Sequence, residues 1–553
     1  MRPGERIALS VIALVASVSI VWMLVERMVP MSLEAPAVAP PLASSVVPPV
    51  PPPVEVETPA GTLLGTRTGE VTSFLGVPFA LPPTGAARFR PPTRAPRASA
   101  PIDARTAGPV CPQIELRGVL ADPDERLDMV GDEDCLRLNV WTRLDGTARP
   151  VMVFIHGGGF QRGGGGEPHF GRSELVRRGD VVLVTVHYRL GALGMIAFDA
   201  LTRESESGSA GNYGLRDQIA ALEWVRDNIA SLGGDPTRVT IFGESAGGES
   251  VCALIASPLA QGLFAQAISE SGGGCARWPT FREGIDGRLS GLGRGNEIVA
   301  SAGCSSADDV AACMRDLDAF ALVRAATRGE HRLHLPVFGP IIDGTVLVAS
   351  AYDRIERGEV DTPLIVGSNA DEASAFTMFS RVDDASYETQ LRALAGPLAD
   401  AALTIWPSTL ADTPRASLRR AFGELLFVCP AEDLARVAAA GAYPSYLYRF
   451  DRQIPGAIGE HFGAFHGVEL FYLFANPIPG LDVAPADQEV VDTMHAAWAG
   501  FATTGAPMTT LRWPAYATDA PAILRIDSPS MVVPDVSEGR CARARAAGIR
   551  LPL

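Results

Sequence analysis

A chain of 553 residues suits several average domains or one large α/β enzyme. Its 47% hydrophobic and 20% charged fractions are those of a globular protein with a large core. A net charge of −16 leaves no basic footprint for nucleic acid or an anionic lipid surface. All 47 basic residues are arginine, which excludes chemistry needing an amine side chain, such as Schiff-base or pyridoxal phosphate catalysis.

In chain order, the first element is an apolar run from Ile7 to Val25, preceded by Arg2 and Arg6. It exceeds a signal-peptide core and is about long enough to cross the hydrocarbon as a helix. Residues 1–29 therefore read as a signal anchor (a single-helix membrane anchor) or a cleaved signal peptide. Either one exports the rest, making the protein periplasmic, inner-membrane-anchored or secreted. Ten of the thirty residues from Pro30 to Pro59 are proline, so residues 30–58 read as a semi-rigid polyproline linker. Residues 59–553 are left as one folded domain. Its first stretch, GTLLGTRTGEVTSFLGVPFA, has short alternating runs punctuated by glycine, as antiparallel strands do.

From about residue 137 the pattern changes. Apolar runs of strand length (PVMVFIHGG, DVVLVTVHYR, RVTIFG, TPLIVGSN, YPSYLYRF) alternate with longer helical stretches. In NYGLRDQIAALEWVRDNIASLGG, Ile219, Leu222, Val225, Ile229 and Leu232 recur at helical spacing until glycines stop the run. Buried strands alternating with helices predict an α/β fold with a mostly parallel sheet covered on both faces.

The pentapeptide Gly243-Glu244-Ser245-Ala246-Gly247 joins a strand to a helix, the context of a nucleophile elbow. Ser245 is the candidate nucleophile, and the helix N-terminus aims backbone N–H groups at a developing oxyanion. FIHGGGF ends another buried strand. The amides of Gly158 and Gly159, with that of Ala246, form the candidate oxyanion hole, while His156 reads as structural. Among the eight histidines, His466 and His461 compete for the role of base. Asp371 and Glu372 compete for that of the acid, between serine and histidine in the order these elbows use. The histidines are scattered without metal-ligand spacing, so no metal is expected.

With those residues in hand, the chain resembles the type-B carboxylesterase and lipase family of carboxylesterase- and cholinesterase-like α/β-hydrolases, over roughly residues 59 to 545. The resemblance rests on FLGVPFALPPTGAARFRPP, EDCLRLNVW, HGGGF, GNYGLRDQIAALEWVRDNIASLGGDP, GESAGG, SNADEASAF, FHGVEL and WPAY, all in family order. It implies an α/β-hydrolase fold: a large mostly parallel central sheet with helices on both faces and a small N-terminal antiparallel sheet. It also implies a serine carboxylic-ester hydrolase that takes a small-molecule ester, needs no cofactor and works through an acyl-enzyme. The family's triad falls on Ser245, Glu372 and His466, which decides both open choices. Glu244 and Ser271 fall on positions of buried support, and Phe376 on one lining the acyl pocket. The resemblance pairs Cys111 with Cys135, Cys304 with Cys313, and Cys429 with Cys541, leaving Cys252 and Cys275 as buried free thiols. Three bridges need an oxidising compartment, in agreement with an exported chain.

The chain departs from the family in one respect. The segment between Cys111 and Cys135 contains no aromatic residue, so the cation–π site of cholinesterases is missing. Two other readings compete with a broad esterase. One is a specialised esterase for a particular ester of polyol tricarballylate or carbamate type. The other is a non-catalytic cholinesterase-like binding module, which has no reason to retain the triad and the glycine loop. The absence of any N-x-S/T sequon and the lack of lysine, together with the leader, point to a bacterial inner-membrane or periplasmic protein.

Overall fold

The computed structural model describes residues 53–549 except 117–126, 168–169, 171–173, 276, 286–287, 328–337, 378–381 and 476–484. The expected signal anchor or signal peptide lies outside the described residues. Among those that are described, no helix is long and apolar enough to cross a membrane.

The first strand, β1 (Val54–Thr58), occupies the last residues expected to be linker. Val54 and Val56 alternate with Glu55 and Glu57, and β1 pairs antiparallel with β2 (Gly61–Thr68). A two-residue period in β-branched residues decides the local structure once the prolines stop. Antiparallel pairing continues from β2 to β3 (Val71–Pro78), and β4 (Ile102–Asp103) lies beside β2. The hairpin β5 (Gln113–Leu116) and β6 (Leu127–Val130) forms a separate two-stranded sheet.

The remaining strands are β7 (Arg137–Thr142), β8 (Arg149–Ile155), β9 (Val182–Val186), β10 (Gly234–Glu244), β11 (Gln266–Glu270), β12 (Leu364–Asn369), β13 (Ser445–Phe450), β14 (Ile523–Ile526) and β15 (Met531–Val533). They complete a 13-stranded sheet in the order β1-β2-β3-β7-β9-β8-β10-β11-β12-β13-β14-β15. From β9 through β14 every neighbouring pair is parallel, and the antiparallel N-terminal strands join that block through β3 and β7.

The central strands are apolar throughout because both faces are covered. In β8, Val151, Val153 and Ile155 enter one core, where helix α1 (Tyr213–Asn228) contributes Ile219, Leu222 and Val225. Helix α2 (Ala246–Ala256), which follows β10, packs on the same side. Met152 and Phe154 enter the opposite core. Five further helices matter below: α3 (Gly291–Ser301), α4 (Pro414–Gly423), α5 (Cys429–Ala438), α6 (Pro485–Thr504) and α7 (Arg540–Ala546). Helix α6 supplies Val490, Met494, Trp498 and Phe501 to that second core. Strand order reverses at β8: the chain leaves it for β9 on one side and returns to β10 on the other. In open α/β sheets the crevice beyond such a reversal is where ligands bind.

All eight cysteines are paired. Three bridges, Cys111–Cys135, Cys304–Cys313 and Cys429–Cys541, are those the family pattern implies. The fourth overturns an expectation: Cys252 and Cys275 are not free thiols but a disulfide, with Cα atoms 5.2 Å apart. Cys252 lies on α2 and Cys275 in the turn after β11, which packs against that helix. The bridge is a product of tertiary approach, not of sequence spacing.

Candidate active site

Ser245 is the hinge between β10 and α2. Its φ of 58° and ψ of −124° are costly for a residue with a Cβ, of order 1–3 kcal/mol. The surroundings fix this conformation: the Ser245 N–H donates to the Glu270 carbonyl at 2.9 Å, and the Ser245 carbonyl accepts from Glu249 N–H at 2.9 Å. A Cβ on Gly247 would sit 2.0 Å from the Ile155 carbonyl oxygen, so only glycine lets α2 start this close to β8.

The glycine loop after β8 lies against the serine. A Cβ on Gly157 would be 3.0 Å from that of Ser245. Gly158 has φ +99° and Gly159 φ +64°, turning this backbone in a way L side chains resist. Gln113 braces the loop from outside, donating to the Gly163 carbonyl at 3.0 Å and accepting from Gly163 N–H at 2.8 Å. The Cys111–Cys135 segment thereby supports the loop. His156 is buried, with Nδ1 2.9 Å from the Gly157 carbonyl and its ring stacked on Tyr188 at 4.4 Å. Burial pulls its pKa down to about 4, so it stays neutral and structural.

Glu372 and His466 meet in the interior. Glu372 Oε2 lies 2.6 Å from His466 Nδ1, and Glu372 Oε1 accepts from Ser271 Oγ and from Asn369 N–H, each at 2.7 Å. Asp371, the competing acid, does something else. Its carboxylate accepts from Ala464 N–H at 3.0 Å while its own N–H donates to the Ala464 carbonyl at 3.0 Å. This reciprocal pair pins the loop that carries His466. His461 is exposed, with its ring on Phe462. A short helix, Ala457–Phe462, stands between β13 and the His466 loop.

Glu244 comes closer than a supporting residue need be: its Oε1 is 3.1 Å from His466 Nε2. The imidazole is thus flanked by a carboxylate at each nitrogen. Burial disfavours its charge, but Glu244 and then Glu372 outweigh that and push its pKa up to about 8. Burial pushes Glu244 itself upward as well.

Two further buried carboxylates stand nearby. Glu270 accepts from Trp498 Nε1, and burial raises its pKa to about 8. Glu469 accepts from Asn369 Nδ2 and is raised well above the usual range by burial and by the other three glutamates. Both lie inside motifs visible in the chain, ISESGG and FHGVEL, but the pattern gave them no role. Phe376 packs on His466 at 5.1 Å between ring centroids, and Phe427 does so at 4.9 Å. Phe427 belongs to a π-helical turn, Glu424–Val428, between α4 and α5, and nothing in the sequence marks it. Among the described residues no group of three or more potential ligands could hold a metal.

Residues 52–543 match the carboxylesterase family. Among curated proteins, the chain is 38% identical over 474 residues to a fumonisin B1 esterase of Sphingopyxis macrogoltabida, covering 81% of this chain and 82% of that one. It is 34% identical over 492 residues to a para-nitrobenzyl esterase of Bacillus subtilis, with 84% and 93% covered. It is 33% identical over 492 residues to a liver carboxylesterase of Sus scrofa, with 81% and 83% covered. A solved PNB esterase superposes with a TM-score of 0.74 at 31% identity, covering 88% of this chain and 99% of that one.

Proposed function

Because this chain belongs to the carboxylesterase family, and is therefore a hydrolase of carboxylic esters, we propose that it works through a Ser245–His466–Glu372 triad and an acyl-enzyme. The observation that carries the reading is the buried 2.6 Å contact between Glu372 and His466 Nδ1, on a loop pinned by Asp371. That contact selects the tautomer with the proton on Nδ1, so Nε2, which Glu244 faces at 3.1 Å, carries the lone pair that takes the Ser245 hydroxyl proton as the oxygen attacks the ester carbonyl. The carbonyl oxygen becomes an oxyanion, held by the amides of Gly158, Gly159 and Ala246; one such donor is typically worth about 3 kcal/mol of barrier. His466 then hands its proton to the departing alcohol. Water repeats both steps on the acyl-serine and regenerates the enzyme. Between proton transfers the imidazolium lies between Glu372 and Glu244, which stabilise its charge.

The experiment is an assay of p-nitrophenyl esters from acetate to decanoate, beside Ser245→Ala. The expected result is turnover that falls by about 10⁴-fold or more in the variant, with a chain-length optimum that sizes the acyl pocket. Turnover unaffected by the substitution would sink the proposal.

A specialised esterase is the second reading. It is favoured by one observation: the fumonisin B1 esterase shares more identity with this chain than the other two relatives do. Under that reading the alkyl ester series is uniformly slow, and one elaborate ester is fast. Four disulfides and the apolar leader support an exported enzyme, either periplasmic, anchored in the inner membrane or secreted.

A further inference from the structure

Between Gly157 and Gly163 the glycine loop turns through left-handed backbone repeatedly. Gly158, Gly159, Phe160 and Gly163 have φ of +99°, +64°, +58° and +102°. Phe160 is the costly member, because a residue with a Cβ resists that region. Such a conformation persists only where the surroundings impose it. Two of the holds come from the segment after β9. The Tyr188 hydroxyl donates to the His156 carbonyl at 2.8 Å, and Gly191 N–H donates to the Phe160 carbonyl at 2.6 Å. They fix the start and the middle of the loop.

The end of the loop is held from elsewhere. Gln113, the first residue of β5, is buried. Its Nε2 donates to the carbonyls of Gly163 and Cys111, each at 3.0 Å, and its Oε1 accepts from Gly163 N–H at 2.8 Å. The carboxamide thus pairs with both backbone groups of one glycine, as a neighbouring strand would, and both of its amide hydrogens are used. A Cβ on Gly163 would lie 2.6 Å from His156 Nδ1 and 2.9 Å from the Gly157 carbonyl oxygen. The clasped glycine therefore backs onto the residue that leads into the Gly158 and Gly159 amides, and Gly157 itself lies against Ser245. Cys111, whose carbonyl takes the second amide hydrogen, is bridged to Cys135, so the clasp stands on a cross-linked base.

We propose that Gln113 is a positioning residue of the reaction. Through Gly163 it sets the pitch of the Gly158 and Gly159 amides, so its loss is felt where an oxyanion is held and not where a neutral ester is bound. Donors aimed at developing charge act only in the transition state and depend steeply on placement, whereas apolar contacts with the bound ester do not. The inference rests on the esterase reading of Ser245.

The test uses the full chain, Gln113→Leu and Gln113→Asn, with three probes: p-nitrophenyl butyrate, 1,1,1-trifluorooctan-2-one and octan-2-one. The fluorinated ketone accepts Ser245 Oγ at its carbonyl carbon; the hydroxyl proton passes to His466, and the carbonyl oxygen becomes an alkoxide in the hole. Octan-2-one has the same chain but binds without that addition. In Gln113→Leu, kcat/KM is expected to fall by about 10-fold or more and the Ki of the fluorinated ketone to rise by the same factor. The Ki of octan-2-one is expected to stay within about two-fold, since it forms no oxyanion. Gln113→Asn keeps the carboxamide one methylene too short for both bonds, and a smaller change in the same direction is expected. It decides the matter if thermal melting shows Gln113→Leu to be unfolded. Unchanged kcat/KM and fluorinated-ketone Ki in the folded variants overturn the proposal. So does a parallel rise in the Ki of both ketones, because Gln113 then shapes the substrate pocket instead. Absence of ester turnover and of inhibition by the fluorinated ketone in the unsubstituted protein overturns the esterase reading, and this inference with it.

Discussion

His466 stands at an unusual electrostatic balance, held by Glu372 on one nitrogen and faced by Glu244 on the other. With its pKa raised to about 8, the imidazole is protonated below that pH and unable to accept the serine proton. The value of kcat/KM is therefore expected to rise as pH increases through this region. Glu244→Gln removes a charge that favours the imidazolium, so the acid limb moves to lower pH by about one unit or more. A pH profile on a neutral ester checks this, and a limb that stays put or climbs refutes it. Ser271→Ala is expected to lower kcat roughly ten-fold with KM little changed, since the hydroxyl supports the charged Glu372 at 2.7 Å; equal kcat values would refute that. Much of this was legible in the chain, since Ser245, Glu372 and His466 each sit in a short motif. The choice between Asp371 and Glu372 came only with the family resemblance, not from the local pattern, because physically it depends on which neighbour turns toward the Ala464 loop. The buried Arg189–Asp217 ion pair was equally hidden within the motifs HYRLG and GNYGLRD.

Among the elements, the π-turn Glu424–Val428 shows what sequence pattern misses. It places Phe427 on the imidazole and leads into Cys429, the first residue of α5 and the anchor of the bridge to α7. Within that turn, Glu424 accepts from Trp406 Nε1 at 2.8 Å and from both Arg540 Nε and Nη2 at 2.7 Å. Removing the arginine leaves a buried carboxylate uncompensated, so Arg540→Ala is expected to destabilise by about 3–5 kcal/mol. Chemical denaturation measures this, and a change below about 1 kcal/mol contradicts it. The bridges differ in the loops they close, with sequence separations of 112 for Cys429–Cys541 and 9 for Cys304–Cys313. Chain-entropy reasoning makes the long closure worth about 2 kcal/mol more. The Cys429→Ser, Cys541→Ser protein should therefore melt below the Cys304→Ser, Cys313→Ser protein; the opposite order would discount the entropic account. Helix α1 and the parallel strands were readable because burial on one stripe or on both faces leaves a clear period. Strand β1 was not, because proline-rich sequence obscures a five-residue alternation.

For the molecule as a whole, the parallel sheet was apparent from its apolar runs, but its strand order was not. The reversal at β8 that brings the glycine loop to Ser245 is a long-range choice among crossovers. The N-terminal edge yields a direct test: a chain starting at Pro53 keeps β1 on β2, whereas one starting at Gly61 strips that strand. The shorter chain is expected to melt several degrees lower, and equal melting temperatures would show that β1 adds nothing. Finally, the four bridges have a common property. Each half-cystine is joined to the very next cysteine along the chain: first to second, third to fourth, fifth to sixth, seventh to eighth. A polypeptide threading into an oxidant from its amino end thus always offers the correct pair of thiols first. It needs an oxidase to make the bonds, but no isomerase to shuffle them.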